Sequence, residues 1–259
     1  MKLYFKYLSL QLKSAFEYRL SLILSMFSSS LSTLANFIAI VLLFSSFETI
    51  AGYSLSEVLI TYSMVSFSFS FSEGLFRGFD QFDTLVKTGE LDRLFIRPRS
   101  IFMQVLGYKV EFNKLGRVIL SGILLVYALL SAPIVWTAFK VVVLLLMIIA
   151  SMVIFLGLFL VYSGISIFTI EGLEAVNIVT NGGRDLCYYP IDIYPKVFRK
   201  VFTYIVPFAV FNYIPLQYLL GYPNATLFYA ISPLFSFVFL GICYLFFRWA
   251  LTKYKSSGS

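Results

Sequence analysis

The side chains that could contact a polar ligand are concentrated in residues 166–188, with the sequence SIFTIEGLEAVNIVTNGGRDLCY. Four of them recur at steps of three or four residues and so share one face of a helix: Glu171, Glu174, Asn177 and Asn181. Acids inside a membrane are energetically costly and usually face a cavity or a partner, so this face is a candidate translocation pathway. The alternative places Glu171 and Glu174 among the lipid headgroups.

Enzymatic chemistry finds no support in the sequence. The chain has no histidine, which excludes Ser-His and Cys-His nucleophiles and histidine-ligated metals. It also lacks a GxxxxGK[ST] phosphate loop, so the chain should not hydrolyse ATP itself. Cys187 and Cys243 show neither metal nor disulfide spacing. We therefore expect no catalytic residue, and no cofactor or metal bound by this chain.

A second polar group lies in residues 77–100, which include KTGELDRLFIRPRS. Its first part can form a short amphipathic helix with Phe79, Phe82 and Leu85 on one side. Gly89 would end that helix as a C-terminal cap, and Pro98 would stop any continuation. Two interpretations remain: a solvated loop with basic residues beside the membrane, or a docking helix for a soluble partner.

The elements that must position these residues follow from the hydropathy. The 259 residues are 59% hydrophobic and 13% charged, and formal charges are absent from long runs: 20–47, 118–139, 141–170 and 201–247. About 20 apolar residues cross a bilayer as a helix, and each run reaches that length. The sequence therefore predicts an all-α integral membrane protein.

The basic residues lie beside these runs, with four in 1–19, eight in 77–117 and three in 248–255. Basic residues flanking spans mark the cytoplasmic side and favour anionic lipid headgroups. This distribution explains the net charge of +7 without nucleic acid. It also places both termini in the cytoplasm, and it predicts Glu57 near the outer and Glu73 near the inner end of the second span.

The predicted organisation is an interfacial amphipathic helix over 1–19, a membrane domain over 20–255 and a tail over 256–259. The predicted spans are about 20–44, 56–76, 118–135, 139–165, 166–188 and 227–249. The first span carries a stripe of small, weakly polar residues, which include Ser29, Ser32, Asn36 and Ala39. Such a stripe indicates packing against another helix.

The fifth span can be assigned in two ways. If 166–188 is a cytoplasmic loop, the span is 201–220 and the basic residues near 196–200 lie inside. If 166–188 crosses, then 189–222 is a re-entrant segment at the outer face. Pro207 and Pro215 and the many tyrosines of 188–229 favour the second assignment, whereas the positive charges favour the first.

Two stretches resemble a known family. GELDRLFIRPRSIFMQVLGYKV, residues 89–110, is similar to a glycine–leucine–acid signature followed by Pro, Ser and Leu-Gly-x-Lys that occurs in ABC-2-type permeases, the membrane subunits of type V ABC transporters. YPIDIYPKVFRKVFTYIVPFAVFNYIPLQYLLG, residues 189–221, is similar to a block of one bacterial subfamily. The two stretches occur in the order that the family has, and the resemblance spans most of the chain.

The resemblance implies six spans, an N-terminal interfacial helix, a cytoplasmic coupling helix over 77–100 and an outer re-entrant hairpin over 189–222. It thereby favours 166–188 as the fifth span. It also implies a bacterial inner-membrane exporter in which two permease chains, identical or related, are driven by separate ATPase subunits that bind ATP and Mg²⁺.

In that mechanism the ATPase contact would be made by apolar residues that fill a cleft and charged residues that orient the dock. The residues expected there are Phe79, Phe82, Leu85, Gly89, Glu90, Leu91, Asp92 and Arg93. Two other functions remain open from the sequence: an ion-coupled carrier with helices broken by proline, and a membrane assembly protein without transport.

Overall fold

The computed structural model describes residues 2–50, 52–169 and 178–256, and within these it contains helices and no strand. The first helices are α1 Lys2–Glu17, α2 Arg19–Ser46, α3 Leu55–Leu75, α4 Arg77–Asp80, α5 Phe82–Lys87, α6 Glu90–Ile96, α7 Ile101–Leu106, α8 Leu115–Ser131 and α9 Ala138–Ser166. The later ones are α10 Gly183–Leu186, α11 Lys196–Lys200, α12 Phe208–Phe211, α13 Tyr213–Leu220, α14 Leu227–Ile231 and α15 Phe235–Thr252.

Four helical stretches of the described chain are long and apolar enough to cross a membrane: Arg19–Ser46, Phe112–Ser131, Ala138–Ser166 and Leu227–Thr252. A fifth candidate is the pair Lys196–Ile205 and Phe208–Leu220, which is bent by 74°. The predicted all-helical membrane class is confirmed. The count of six spans stays a prediction.

Helix α3, in the range of the predicted second span, has many serines and lies at the centre of the bundle. It begins with a capping box, in which the Ser54 amide donates to Glu57 Oε2 at 2.7 Å. Its serine hydroxyls bond within the bundle, as when Ser63 Oγ donates to the Leu59 carbonyl at 2.6 Å. Because α2, α8 and α9 pack around it, most residues of α3 are buried.

We name the two ends of the bundle by the carboxylates of α3, as the Glu57 end and the Glu73 end. Helix α9 runs parallel to α3, since Ser68 and Ser72 donate to the carbonyls of Ile148 and Met152, both at 3.4 Å. The start of α9 therefore lies at the Glu57 end.

Both ends of the bent pair have contacts at the Glu57 end of the bundle. Arg199, at its start, forms an ion pair with Asp192, which accepts a hydrogen bond from Tyr53 beside the start of α3. The Phe208 ring, just after the Pro207 break, lies 6.1 Å from that of Phe155 in the middle of α9.

At the other side of the bend, Lys140 Nζ donates to the Leu219 carbonyl at 2.7 Å, and α13 ends at Gly221 with φ +79°. A straight span over 201–220 is therefore not what the structure has, and the re-entrant assignment stays a prediction. Because a break at membrane depth exposes backbone groups, it must be packed against protein, as Phe208 and Phe211 are.

The predicted fifth span, 166–188, is only partly described, because residues 170–177 lie outside the described residues. From residue 178 the chain forms a π-helical turn and α10. It then rises along α3, with Tyr188 against Tyr62 at a ring-centroid distance of 4.7 Å. This direction, toward the Glu57 end, agrees with the second assignment. Whether 166–188 crosses the membrane stays a prediction.

Helix α1, in the range of the predicted interfacial helix, is tied to the chain that follows α7. Gln11 Nε2 donates to the Gly107 carbonyl at 2.9 Å, and Gln11 Oε1 accepts from the Val110 amide at 2.6 Å. The Tyr7 ring covers Gly107. Because Gln11 forms hydrogen bonds with two backbone groups of the turn that follows α7, it fixes α1 against that turn.

The polar stripe of the first span is packed within the chain only in part. Ser29 donates to the Asn113 carbonyl at 3.1 Å, but Ser32, Asn36 and Ala39 are exposed. The face of α2 that the bundle buries instead contains Thr33 and Ile40. The packing prediction is therefore wrong, within this chain, for the later part of the stripe.

Close packing of α8 on α2 depends on Gly116, where a Cβ would overlap the Met26 carbonyl oxygen. We expect Gly116→Ala to lower the free energy of unfolding by about 1–3 kcal/mol, because backbone must move to admit the methyl group. Gly241→Ala is the matched control, since a Cβ there meets nothing within 4 Å. The midpoint of thermal unfolding in detergent measures both, and equal midpoints would contradict this packing.

Candidate functional site

The candidate site lies at the Glu73 end, where the segment 77–100 packs on the bundle. The Phe79 and Phe82 rings lie 5.8 and 5.6 Å from the ring of Phe247 in α15. Ser163 of α9 donates from Oγ to the Phe79 carbonyl at 2.7 Å. The segment is therefore attached to both α9 and α15.

This attachment corrects part of the expected contact set. Phe79, Phe82, Leu85 and Leu91 are fully buried within the chain itself. The helical periodicity identified their shared face correctly, but that face packs against the protein's own bundle. These four residues position the segment and do not present a surface to a partner.

The charged residues of the expected set differ in the contacts that they make within the chain. Tyr108 Oη donates to Glu90 Oε2 at 2.9 Å, and Ser256 Oγ donates to Asp92 Oδ2 at 2.7 Å. Arg93 is exposed. Partner contacts by Glu90, Asp92 and Arg93 stay a prediction.

Gly89 joins α5 to α6 with φ +69°, a conformation that favours glycine, and this confirms the predicted helix end.

The surface that the segment turns away from the bundle is basic and apolar. It contains Lys87, Arg93, Phe95, Ile96 and Arg97, all exposed, and Ile96 is 83% exposed. The sequence analysis did not assign Phe95 or Ile96, although they follow the buried Leu94 directly. This surface is the part of the segment that a partner can reach.

A network of ion pairs closes the bundle beside the segment. Glu73 accepts from Lys114 Nζ at 2.7 Å and from Arg117 Nη1 at 3.1 Å. Arg77 Nε donates to Glu111 Oε1 at 3.0 Å. The network joins α3, α4 and the start of α8, and its side chains are largely shielded from solvent.

Asp80 belongs to the same network through an ion pair with Arg77. Burial raises the pKa of the Asp80 carboxyl, although the Arg77 guanidinium opposes this shift.

A polar cavity of about 470 Å³ opens next to this network, between α3, α5 and α9. Its described lining includes Glu73, Asp80, Asp83, Tyr162 and Asn181. Such a cavity can hold water or a polar group at the Glu73 end of the bundle.

Of the four expected pathway residues, the structure places one. Asn181 lies in the π-helical turn Ile178–Gly182 and lines the polar cavity. Glu171, Glu174 and Asn177 lie outside the described residues.

Arg184, which the sequence analysis did not select for the pathway, reaches the interior of the bundle. Its guanidinium carbon lies 4.8 Å from the centroid of the Phe69 ring, and that of Arg117 lies 5.9 Å from the same centroid. Arg184 also pairs with Asp185 at 2.7 Å. The sequence could have suggested Arg184 as a pathway residue, because it lies one helical turn beyond Asn181.

The opposite end is closed by carboxylates with tyrosine partners. Asp192 accepts from Tyr53 at 3.0 Å and also from Tyr213, and Tyr222 Oη donates to Glu57 Oε1 at 2.9 Å. The described chain thus has tyrosine–carboxylate hydrogen bonds at the Glu57 end and a polar cavity at the Glu73 end.

A family model described as ABC-2 family transporter protein matches residues 31–258. No curated protein and no solved structure matches.

Removal of one partner from the Glu73 network should destabilise the fold. We expect Glu73→Gln to cost about 3–5 kcal/mol, because Lys114 and Arg117 would lose the carboxylate that compensates their shielded charges. Asp83→Asn is the control: it breaks the 3.0 Å pair with the more exposed Lys87, which should cost at most about 0.5 kcal/mol. Thermal unfolding in detergent compares them, and similar losses would contradict the role of the network.

Proposed function

Because the chain belongs to the ABC-2 family of transporter membrane proteins, we propose that it is the permease subunit of an ATP-driven exporter. It would form the translocation pathway with a second permease chain, while separate ATPase subunits bind ATP and Mg²⁺. The observation that carries this proposal is the family match over residues 31–258.

The proposed location is a bacterial inner membrane, with the Glu73 end and both termini in the cytoplasm. The basic residues support this orientation. The segment 77–117 holds eight of the 20 Lys and Arg residues and lies at the Glu73 end. At the Glu57 end, the charge of Arg199 is compensated by Asp192, which reduces the cost of a basic residue there.

The exposed side of α5 and α6 is the proposed ATPase dock. Ile96 is a large apolar side chain with little cover, and Arg93 and Arg97 flank it as exposed cations. An apolar anchor surrounded by orienting charges is the usual composition of a specific contact. Gly89, Glu90 and Asp92 would lie at its border.

The buried side of the same segment would transmit the motion. Phe79 and Phe82 are packed on Phe247 of α15, and Ser163 of α9 holds the Phe79 carbonyl. A displacement of the dock by the closing ATPases would therefore move the ends of α9 and α15 with it. Packed helices carry such shifts as rigid bodies between two states.

A second permease chain would cover the exposed stripe of α2. Asn36 lies near the middle of this apolar helix, is exposed, and makes no hydrogen bond within the described residues. An amide in the hydrocarbon region is poorly accommodated by lipid, whereas a facing helix can bond it. The small residues Ser32 and Ala39 beside it would permit a close approach.

The pathway would open from the polar cavity, whose lining includes Asn181 and which continues toward Arg184 and Phe69. The predicted face of Glu171, Glu174 and Asn177 would extend it. A polar cavity at the Glu73 end, which is proposed to face the cytoplasm, would correspond to an inward-facing state.

The dock can be tested by copurification with the ATPase subunit. We expect the double variant Arg93→Glu/Ile96→Glu to reduce the copurified ATPase by about tenfold or more, because it removes both the anchor and the orienting charge. The matched control is Lys196→Glu/Val197→Glu, which changes an exposed cation and an exposed aliphatic residue at the Glu57 end. Equal ATPase recovery from both variants would count against the dock.

The orientation can be tested with a membrane-impermeant maleimide, since the native Cys187 and Cys243 are buried. We expect the Lys196→Cys variant to be labelled in intact cells and the Lys87→Cys variant only after permeabilisation. Both lysines are exposed, so accessibility depends on the side of the membrane. Labelling of Lys87→Cys in intact cells would overturn the proposed orientation.

A further inference from the structure

A second cavity, of about 420 Å³, lies where α1 meets α2 and has no part in the transport proposal. Its helical wall includes Ser14, Tyr18, Ser21 and Ser25, and its other wall is the turn formed by residues 109–113. Helix α1 is the candidate interfacial helix and α2 is a candidate span. Their junction therefore lies at the depth of lipid headgroups.

The helical wall of the cavity carries hydroxyl groups without a hydrogen-bond partner in the described chain, and the other wall adds Asn113, whose Oδ1 atom also has none. Within residues 2–50, 52–169 and 178–256, the hydroxyls of Ser14, Tyr18, Ser21 and Ser25 have no hydrogen-bond partner. By contrast Ser29, one turn further along α2, donates to the Asn113 carbonyl at 3.1 Å. The α2 face is thus satisfied where it touches protein and unsatisfied where it faces the cavity.

A cation stands at the wall formed by the turn. Lys109 Nζ is bonded to Gln81 Oε1 at 2.8 Å, and its side chain is still 43% exposed. The carboxylate in the lining, Glu111, is compensated by Arg77 at 3.0 Å and by Lys109 at 3.5 Å. Because Arg77 and Lys114 also pair with Glu111, Lys109 can share its charge with a ligand. An anion rich in acceptor oxygens, such as a phosphate group, suits this cation and the hydroxyls without a partner.

The surroundings indicate a phosphate that carries acyl chains. Leu20 and Ile23 follow the cavity wall on α2, and both are large apolar side chains with more than half of their surface exposed. We propose that this cavity binds the phosphodiester headgroup of a membrane phospholipid, with its acyl chains along α2. The bound headgroup bridges α1, α2 and the turn 109–113.

The experiment is native mass spectrometry of the full chain, delipidated in detergent and titrated with phosphatidylglycerol. The unmodified chain is expected to take up one tightly bound lipid. The double variant Ser21→Leu/Ser25→Leu should lower the apparent affinity about tenfold or more, because it removes two donors to a charged group and fills the cavity. Ser28→Leu is the matched control, since Ser28 lies on the same helix and does not line the cavity.

Two competitors identify the ligand chemistry. Diacylglycerol carries the same acyl chains without the phosphate, and inorganic phosphate carries the charge without the chains. Neither should displace phosphatidylglycerol at matched concentration. Displacement by diacylglycerol overturns the headgroup assignment, and displacement by inorganic phosphate overturns the lipid assignment.

Equal lipid affinity for the unmodified chain and the double variant overturns the site itself. Circular dichroism and the unfolding midpoint check that the variant folds. Should the leucine variant not fold, Ser21→Ala/Ser25→Ala removes the same donors without added volume, and it should weaken binding in the same direction.

Discussion

Shielding of the polar helix α3 from lipid is the constraint on which this structure depends. α3 carries a carboxylate near each end and serines along its length, and lipid offers hydrogen bonds to none of them. The more apolar helices α2, α8 and α9 surround it. At its ends, Glu57 is satisfied by Ser54 and Tyr222, and Glu73 by Lys114 and Arg117. The apolar helices around α3 and the polar partners at its two ends together reduce the free-energy cost of placing a polar helix in a membrane.

The segment 77–100 also takes part in shielding α3, in addition to any contact that it makes with a partner. Its network residue Arg77 joins the closure of α3, and its buried rings extend the bundle core to Phe247. A loop held only at its two ends would absorb a displacement by bending. A segment packed along one whole side passes the displacement to the helices beneath it.

Much of the fold was predictable from composition, because a span needs only a run of apolar residues and a helix end needs only a residue such as Gly89. The surface that the Phe79 and Phe82 face packs against could not be predicted in this way. Periodicity shows that residues share a face, and it cannot show what covers that face. Lys114 and Arg117, which donate hydrogen bonds to Glu73, lie about 40 residues further along the chain and meet it only after folding. Pro207 signalled a break, but its depth depends on contact with Phe155.

The two sides of the segment 77–100 have different surroundings. The inner side, with Phe79 and Phe82, is fitted to the chain's own helices, and the outer side, with Arg93 and Ile96, is free of them. Substitutions on one side need no compensation on the other. If the outer side contacts the ATPase as proposed, a few surface substitutions suffice to accommodate a different ATPase, while the interior of the permease stays unchanged.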